Sequence, residues 1–216
     1  MPIAVLADIV DSRRLEDRDA VQSRLEQILT ATHREHPFAD EPMTPSVGDE
    51  FQAVYPSLET ALASIMLIRL SLARPIDLRF GLGWGAVKSV DSQRHIQDGP
   101  GWWAARQAIE EIESKSGPRR RVVGARSWLV VAPDEDASAR TAAAIANAYL
   151  LSRDQLISRM SDRARRLTLG ALRGRTQEEL AKAEGIRQSA VSQALSKAGS
   201  AALLAGWDEL RREAGA

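Results

Sequence analysis

Apolar and polar positions along the first 133 residues fall into short, clearly periodic segments. Residues 3–9, IAVLADI, form a nearly unbroken apolar run of β-favouring residues, which predicts a buried strand. From about Asp17 to His33, Val21, Leu25, Ile28 and Leu29 recur at helical spacing, and the three prolines of PFADEPMTP then break the helix. PSVGDEFQAVY (45–55) reads as two strands around a tight turn at Gly48 and Asp49. A second helix is predicted over Leu58 to Ala73, where Leu62, Ile65, Met66 and Leu70 recur three and four apart. IDLRFGLGWGAVKSV reads as a strand whose glycines imply a bulge or a close backbone approach. A third helix begins near Trp102, and RRRVVGARSWLVVAP supplies at least one further strand. The order β-α-β-β-α-β-α-β predicts an α+β fold: a ferredoxin-like sheet with helices on one face.

After Pro133 the pattern changes. DEDASARTAAAIANAYLLSRDQLISRMSDRARRLTLGALRG has no strand signal and reads as two helices ending near Gly174. The division expected is an α+β domain over 1–133, a helical connector over 134–152 and an all-α domain over 153–216. Within the last, TQEELAKAEGIRQSAVSQALSKAG is the most specific stretch of the chain. Thr176 caps a helix and Glu179 completes a capping box. Counted from Gln177, a small residue stands at the fifth place (Ala181), Gly at the ninth (Gly185) and a β-branched residue at the fifteenth (Val191). That is the spacing of a helix-turn-helix. Its second helix, about Gln188 to Ala198, would turn Gln188, Ser189, Ser192 and Gln193 outward to base edges, with Arg187 and Lys197 suited to phosphates.

Composition adds less. The 216 residues are 44% hydrophobic, enough for a sizeable core, and contain no cysteine, so disulfides, thiolate metal sites and thiol nucleophiles are excluded. The N-terminus lacks the pattern of a signal peptide, no apolar run approaches a membrane span, and a cytoplasmic protein is expected. Lys+Arg and Asp+Glu balance at 29 each, yet from Ser152 onward there are 12 basic against 8 acidic residues. This asymmetry suggests an anion-seeking tail on a mildly acidic body.

Asp8 and Asp49 each stand at the end of an apolar strand, and in the expected topology the two are neighbours. Two unpaired carboxylates that close repel unless a proton or a cation lies between them, and a Mg²⁺ ion shared with nucleotide phosphates would resolve the conflict. The segment following Asp8 runs toward a helix whose N-terminal amides suit phosphate. Weaker candidates are His33 and His36 as zinc ligands, read as solvated surface, and Arg119-Arg120-Arg121, read as a charged loop. Trp102 and Trp103 are read as core before base-stacking residues.

ADIVDSR resembles the first metal motif of class III nucleotidyl cyclases, and VGDEF is similar to their Gly-Asp hairpin and to the GGDEF signature of diguanylate cyclases. Together with DGPGWWAAR and the trailing helix-turn-helix, the ensemble resembles the SatD family of bacterial proteins. The C-terminal segment looks like region 4 of sigma factors and many bacterial regulators. The cyclase resemblance implies Asp8, the Ile9 carbonyl and Asp49 as ligands of Mg²⁺ or Mn²⁺. It implies Asp11, Ser12, Arg13, Gly48 and Arg106 around a nucleotide. This sequence departs from the class III pattern at Pro45, where a base-selecting lysine is expected, at Trp102, where a ribose-positioning asparagine is expected, and from GGDEF at Val47. The function expected is therefore a DNA-binding regulator, a homodimer on duplex DNA, whose cyclase-like domain binds a nucleotide with Mg²⁺ and turns over little or nothing. The alternatives are an active nucleotidyl cyclase or second-messenger synthase, and a non-catalytic cyclase-like scaffold with a DNA-binding tail.

Overall fold

The computed structural model describes residues 1–12, 15–39, 41–46, 48–91, 96–116, 122 and 124–214. Arg13, Val47 and Arg119 to Arg121 lie outside the described residues. The elements run β1 (Ile3–Ile9), α1 (Arg18–Glu35), β2 (Thr44–Pro45), β3 (Glu50–Tyr55), α2 (Leu58–Ser71), β4 (Leu78–Trp84), β5 (Lys88–Asp91), β6 (Ile96–Asp98), α3 (Pro100–Ser116) and β7 (Ser127–Val131). They continue with α4 (Ala137–Arg159), α5 (Asp162–Leu172), α6 (Gln177–Glu184), α7 (Gln188–Lys197) and α8 (Ser200–Ala214).

The main sheet has the order β2-β3-β1-β4-β7, antiparallel except for the parallel β4–β7 pair, so the fold is α+β around a mixed sheet. β5 and β6 form a separate hairpin. β1 is central because it is apolar on both faces. Its odd residues, Ile3, Val5, Ala7 and Ile9, pack with Leu25, Ile28 and Leu29 of α1 and with Leu62, Ile65 and Ile68 of α2. Its even residues Ala4 and Leu6 pack with Ala105 and Ile109 of α3. Helices therefore cover both faces, not one as expected, since side chains alternate across a strand and both sets here are apolar.

The glycines of β4 explain the second layer. A Cβ at Gly83 would lie 1.9 Å from the Gly101 carbonyl oxygen, and one at Gly81 would lie 2.3 Å from that of Ala105. α3 thus rests backbone-on-backbone against β4, the close approach the sequence implied.

A Ser57–Thr60 capping box starts α2, and every residue from Thr60 to Leu70 is buried. One side of the helix meets the sheet. The other, with Ala63, Met66, Leu67 and Leu70, meets Ile157 and Met160 at the end of α4, Ala164, Leu169 and Leu172 of α5, and Leu203 and Trp207 of α8. The C-terminal helices are thereby packed onto the α+β body.

α4 runs unbroken through the boundary expected at 152/153. Ala143, Ala146 and Leu150, spaced three and four, enter the sheet core, so residues 134–152 are mostly core-packing helix and not a connector. Asn147 on the same face closes the edge of β7: its Oδ1 accepts from the Leu129 N–H at 2.8 Å and its Nδ2 donates to the Leu129 carbonyl at 2.9 Å. An amide placed this way mimics the next strand and satisfies edge groups that would otherwise stay unpaired.

Candidate functional site

Strand register builds the site. Asp8 pairs with Glu50 on β3 and with Arg79 on β4, so the three side chains form one row across the sheet on the face that α3 covers. α3 adds Arg106, Glu110 and Glu113, one stripe at i, i+4 and i+7.

The row is a chain of alternating charges. Arg106 clasps Glu50 with both terminal nitrogens, Nη2 reaching Oε2 at 2.7 Å. Arg79 Nη1 donates to Asp8 Oδ2 at 2.8 Å and stands 3.6 Å from Glu113 Oε1. The other oxygen of Asp8, Oδ1, is buried with no hydrogen-bond partner. Burial raises the Asp8 pKa above its ordinary value; Arg79 opposes the shift, while the charges of Glu113 and Asp49 add to it. Hydrogen bonding to Glu50 holds the Arg106 pKa up.

Asp49 lies half-buried in the β2–β3 turn, where Gly48 takes the left-handed conformation (φ 70°). Open space surrounds the position of a Cβ at Gly48, so conformation alone favours glycine there. Ile9 ends β1 with its side chain in the core. Asp11 adopts φ 55° and is exposed, and the Ser12 carbonyl accepts from the Leu15 N–H. α1 does not begin until Arg18, and its first turn is capped by the Asp17 carboxylate on the Ala20 N–H at 2.9 Å. Trp102 is partly buried against the sheet, whereas Trp103 is 63% exposed and bonded through Nε1 to Asp98, so only the first fits the core reading. His36 stacks on Phe38 and meets the Trp207 edge instead of standing in solvent.

Mg²⁺ keeps several waters and takes one or two protein carboxylates plus phosphate oxygens. Asp8 Oδ1 is a buried acceptor without a partner, and the charge of Asp49 acts on the same carboxyl. Among the described residues no group of three or more His, Cys, Asp or Glu side chains is arranged to hold a metal, so an all-protein cage does not fit.

At the other end of the chain, α6 starts with a reciprocal Thr176–Glu179 capping box and ends at Gly185 in the left-handed conformation (φ 64°). Val191 of α7 is fully buried with Leu167 of α5 and Leu180 and Ala181 of α6. With that side fixed, Arg187, Gln188, Ser189, Ser192, Gln193 and Lys197 are all exposed. Gln188 Nε2 also bonds Gln177 Oε1 at 3.2 Å.

A model of the SatD family matches residues 2–204. The chain belongs to the SatD family. Among solved structures, this SatD-family protein is similar to a bacterial light-regulated adenylyl cyclase, at 13% identity and a TM-score of 0.40, over 59% of this chain and 74% of that one. No curated protein matches it. No helix among the described residues of the SatD-family chain is long and apolar enough to cross a membrane.

Sequence reasoning singled out Asp8 and Asp49 but missed Glu50, Arg79 and Glu113. Their signal was present in part: Glu50 adjoins Asp49, and Glu113 lies seven residues from Arg106, two helical turns on the same face. Only the β1–β4 register brings Arg79 to Asp8.

The electrostatics of Asp8 give a pH prediction. A carboxyl whose folded pKa is raised binds more protons folded than unfolded. Its contribution therefore falls as pH rises from the ordinary carboxylate value through the raised one. Asp8→Asn keeps an acceptor for Arg79 and removes the charge. It should leave neutral-pH stability unchanged or higher and flatten the fall above pH 4, as measured by urea denaturation at a series of pH values.

Proposed function

We propose that this SatD-family protein is a DNA-binding regulator. Residues 176–198 act as a helix-turn-helix with α7 as the recognition helix, and the first 133 residues act as a nucleotidyl-cyclase-like domain that binds a nucleotide with Mg²⁺. The observation that carries the reading is the two-sided character of α7. Val191 anchors it against Leu167, Leu180 and Ala181, while Gln188, Ser189, Ser192, Gln193 and Lys197 all face solvent. Short amide and hydroxyl side chains on one exposed helical face match the donor and acceptor pattern of the major groove, and Arg187 and Lys197 at its two ends suit phosphates. A homodimer would present two such helices to two half-sites.

The strand order β2-β3-β1-β4, with antiparallel neighbours throughout, supports a ferredoxin-like reading of the sheet. The buried, unpartnered Oδ1 of Asp8 supports a cation at the end of β1. Mg²⁺ held there with Asp49 would neutralise nucleotide phosphates. Arg79 orients Asp8, and Arg106, clasped by Glu50, is positioned by that pair. Pro45 and Trp102 replace the class III base-selecting and ribose-positioning groups, so binding without turnover is the function favoured.

The test is selection of genomic duplex fragments with the full chain, followed by single substitutions. Gln193→Ala should relax sequence preference, and Lys197→Ala should weaken binding to all duplexes alike and lower the salt slope by about one. Retention of no fragment at low salt would refute the DNA-binding reading.

A further inference from the structure

Beyond the ends of β1 and β4, a cavity of about 930 Å³ opens between α1, the 74–77 loop, α4 and α5. The Asp8 row faces α3 instead, although Asp11, which the cyclase resemblance puts around a nucleotide, lies on the wall of this cavity. Val10, Leu15, Val21 and Ile76 give it an apolar lining, and Arg74, Arg126 and Arg165 lie along it.

Arg165 carries the argument. It is 4% exposed, its Nη1 donates to the Leu72 carbonyl at 3.2 Å, and its Nε is buried with no hydrogen-bond partner. Burial lowers its pKa, Arg69 and Arg74 add to the shift, and Asp77 and Asp162 oppose it. Behind it lies a connected ionic network. Arg126 Nε donates to Asp77 at 2.7 Å and Arg69 and Arg153 converge on Asp154, while Arg74 gives its backbone N–H to Asp162 and its Nη2 to the Met160 carbonyl. Of the charged side chains lining the cavity, Arg74, Arg126 and Arg165 face Asp77 within it and Asp11, Glu16 and Asp17 across it, and Asp77 is already held by Arg126 and stands 3.9 Å from Arg69. A buried guanidinium without its counter-charge is costly, and an anion in the cavity removes the cost. Asp11, Glu16 and Asp17 on the opposite wall stand at the exposed rim, as Arg74 does, where water screens all four, whereas Arg165 is buried.

We propose that this cavity binds a small organic anion, its phosphate or carboxylate group at Arg165 and Arg74 and its apolar body against Val10, Leu15 and Ile76. The volume lies within the range of ordinary small-molecule sites. Arg165 shares α5 with Leu167, on which Leu180, Ala181 and Val191 rest. A ligand there bears directly on the support of α7.

The experiment is isothermal titration of the full chain with phenyl phosphate, with benzoate and with phenol, in EDTA, so that the proposed metal site plays no part. One anion at least should bind saturably at one per chain, with phenol binding far more weakly; the tighter anion identifies the head group. Arg165→Met should weaken that binding about tenfold or more, as loss of a charge-assisted contact does. Arg74→Ala, a change at an exposed position, should weaken it several-fold even if Arg165→Met fails to fold. Failure of both anions to saturate the wild-type chain at millimolar concentration would overturn the proposal. So would wild-type affinity in Arg74→Ala together with any folded Arg165→Met.

Discussion

Asp154→Asn should destabilise the protein by about 3–5 kcal/mol, the range for removing one partner of a buried ion pair. Asp154 is fully buried on α4 and takes Arg69 from α2, Arg153 beside it, and the Arg126 backbone N–H at 2.8 Å. Burial pushes its pKa up, but the two guanidiniums and the backbone donor outweigh burial and leave it below the ordinary value. Asparagine is nearly isosteric yet leaves Arg69 and Arg153, each 1% exposed, without their shared anion. Because the folded pKa is depressed, this contribution is complete above the ordinary carboxylate range and is lost as pH falls through the depressed value. Urea denaturation at pH 7 should show a lower midpoint with an unchanged slope. A midpoint equal to that of the wild type would show that the network adds no net stability.

The second large effect is expected at Gly83. The methyl of Gly83→Ala would meet the Gly101 carbonyl oxygen at 1.9 Å and the Ala105 nitrogen at 2.5 Å. Both are backbone atoms of α3 and no rotamer can relieve them, so the cost should reach or exceed the upper end of the usual overpacking range, about 3 kcal/mol. Relief requires α3 to lift off the sheet, which separates Arg106 from Glu50 and Glu113 from Arg79. Thermal melting and crystallography of Gly83→Ala should show both. Wild-type melting with α3 in place would contradict backbone-on-backbone packing. Gly48→Ala, where a Cβ has open space, should cost only the strain of a positive φ.

The segments legible in the sequence were those with one buried face or a local signature. IAVLADI, the Val21–Leu29 stripe and the Gly48–Asp49 turn each form the element expected, as does the Thr176 capping box. α2 was legible as a helix but not as a central one. Its stripe of Leu62, Ile65, Met66 and Leu70 is real, yet Ala61 is buried in the sheet core, Ala63 and Leu67 under α5 and α8, and Arg69 against Asp154 of α4. The core packing of 134–152 is hard to read in the sequence because an alanine-rich helix gives a weak periodic signal, although Ala143, Ala146 and Leu150 mark its core face. Partners far apart in sequence were not legible. Arg69 meets Asp154 across 85 positions and Arg79 meets Asp8 across 71, and only the packing brings them together.

On the function proposed, the exposed face of α7 is the surface that would meet duplex DNA. Ser192 stands at the middle of that face, and Thr141 is an equally exposed residue on α4, outside it. The direct measurement is fluorescence anisotropy of a selected duplex with Ser192→Glu and Thr141→Glu chains of wild-type melting temperature. A carboxylate facing phosphates is strongly repelled, so Ser192→Glu should abolish binding while Thr141→Glu binds as the wild type does. Wild-type affinity in Ser192→Glu would show that this face of α7 does not meet DNA.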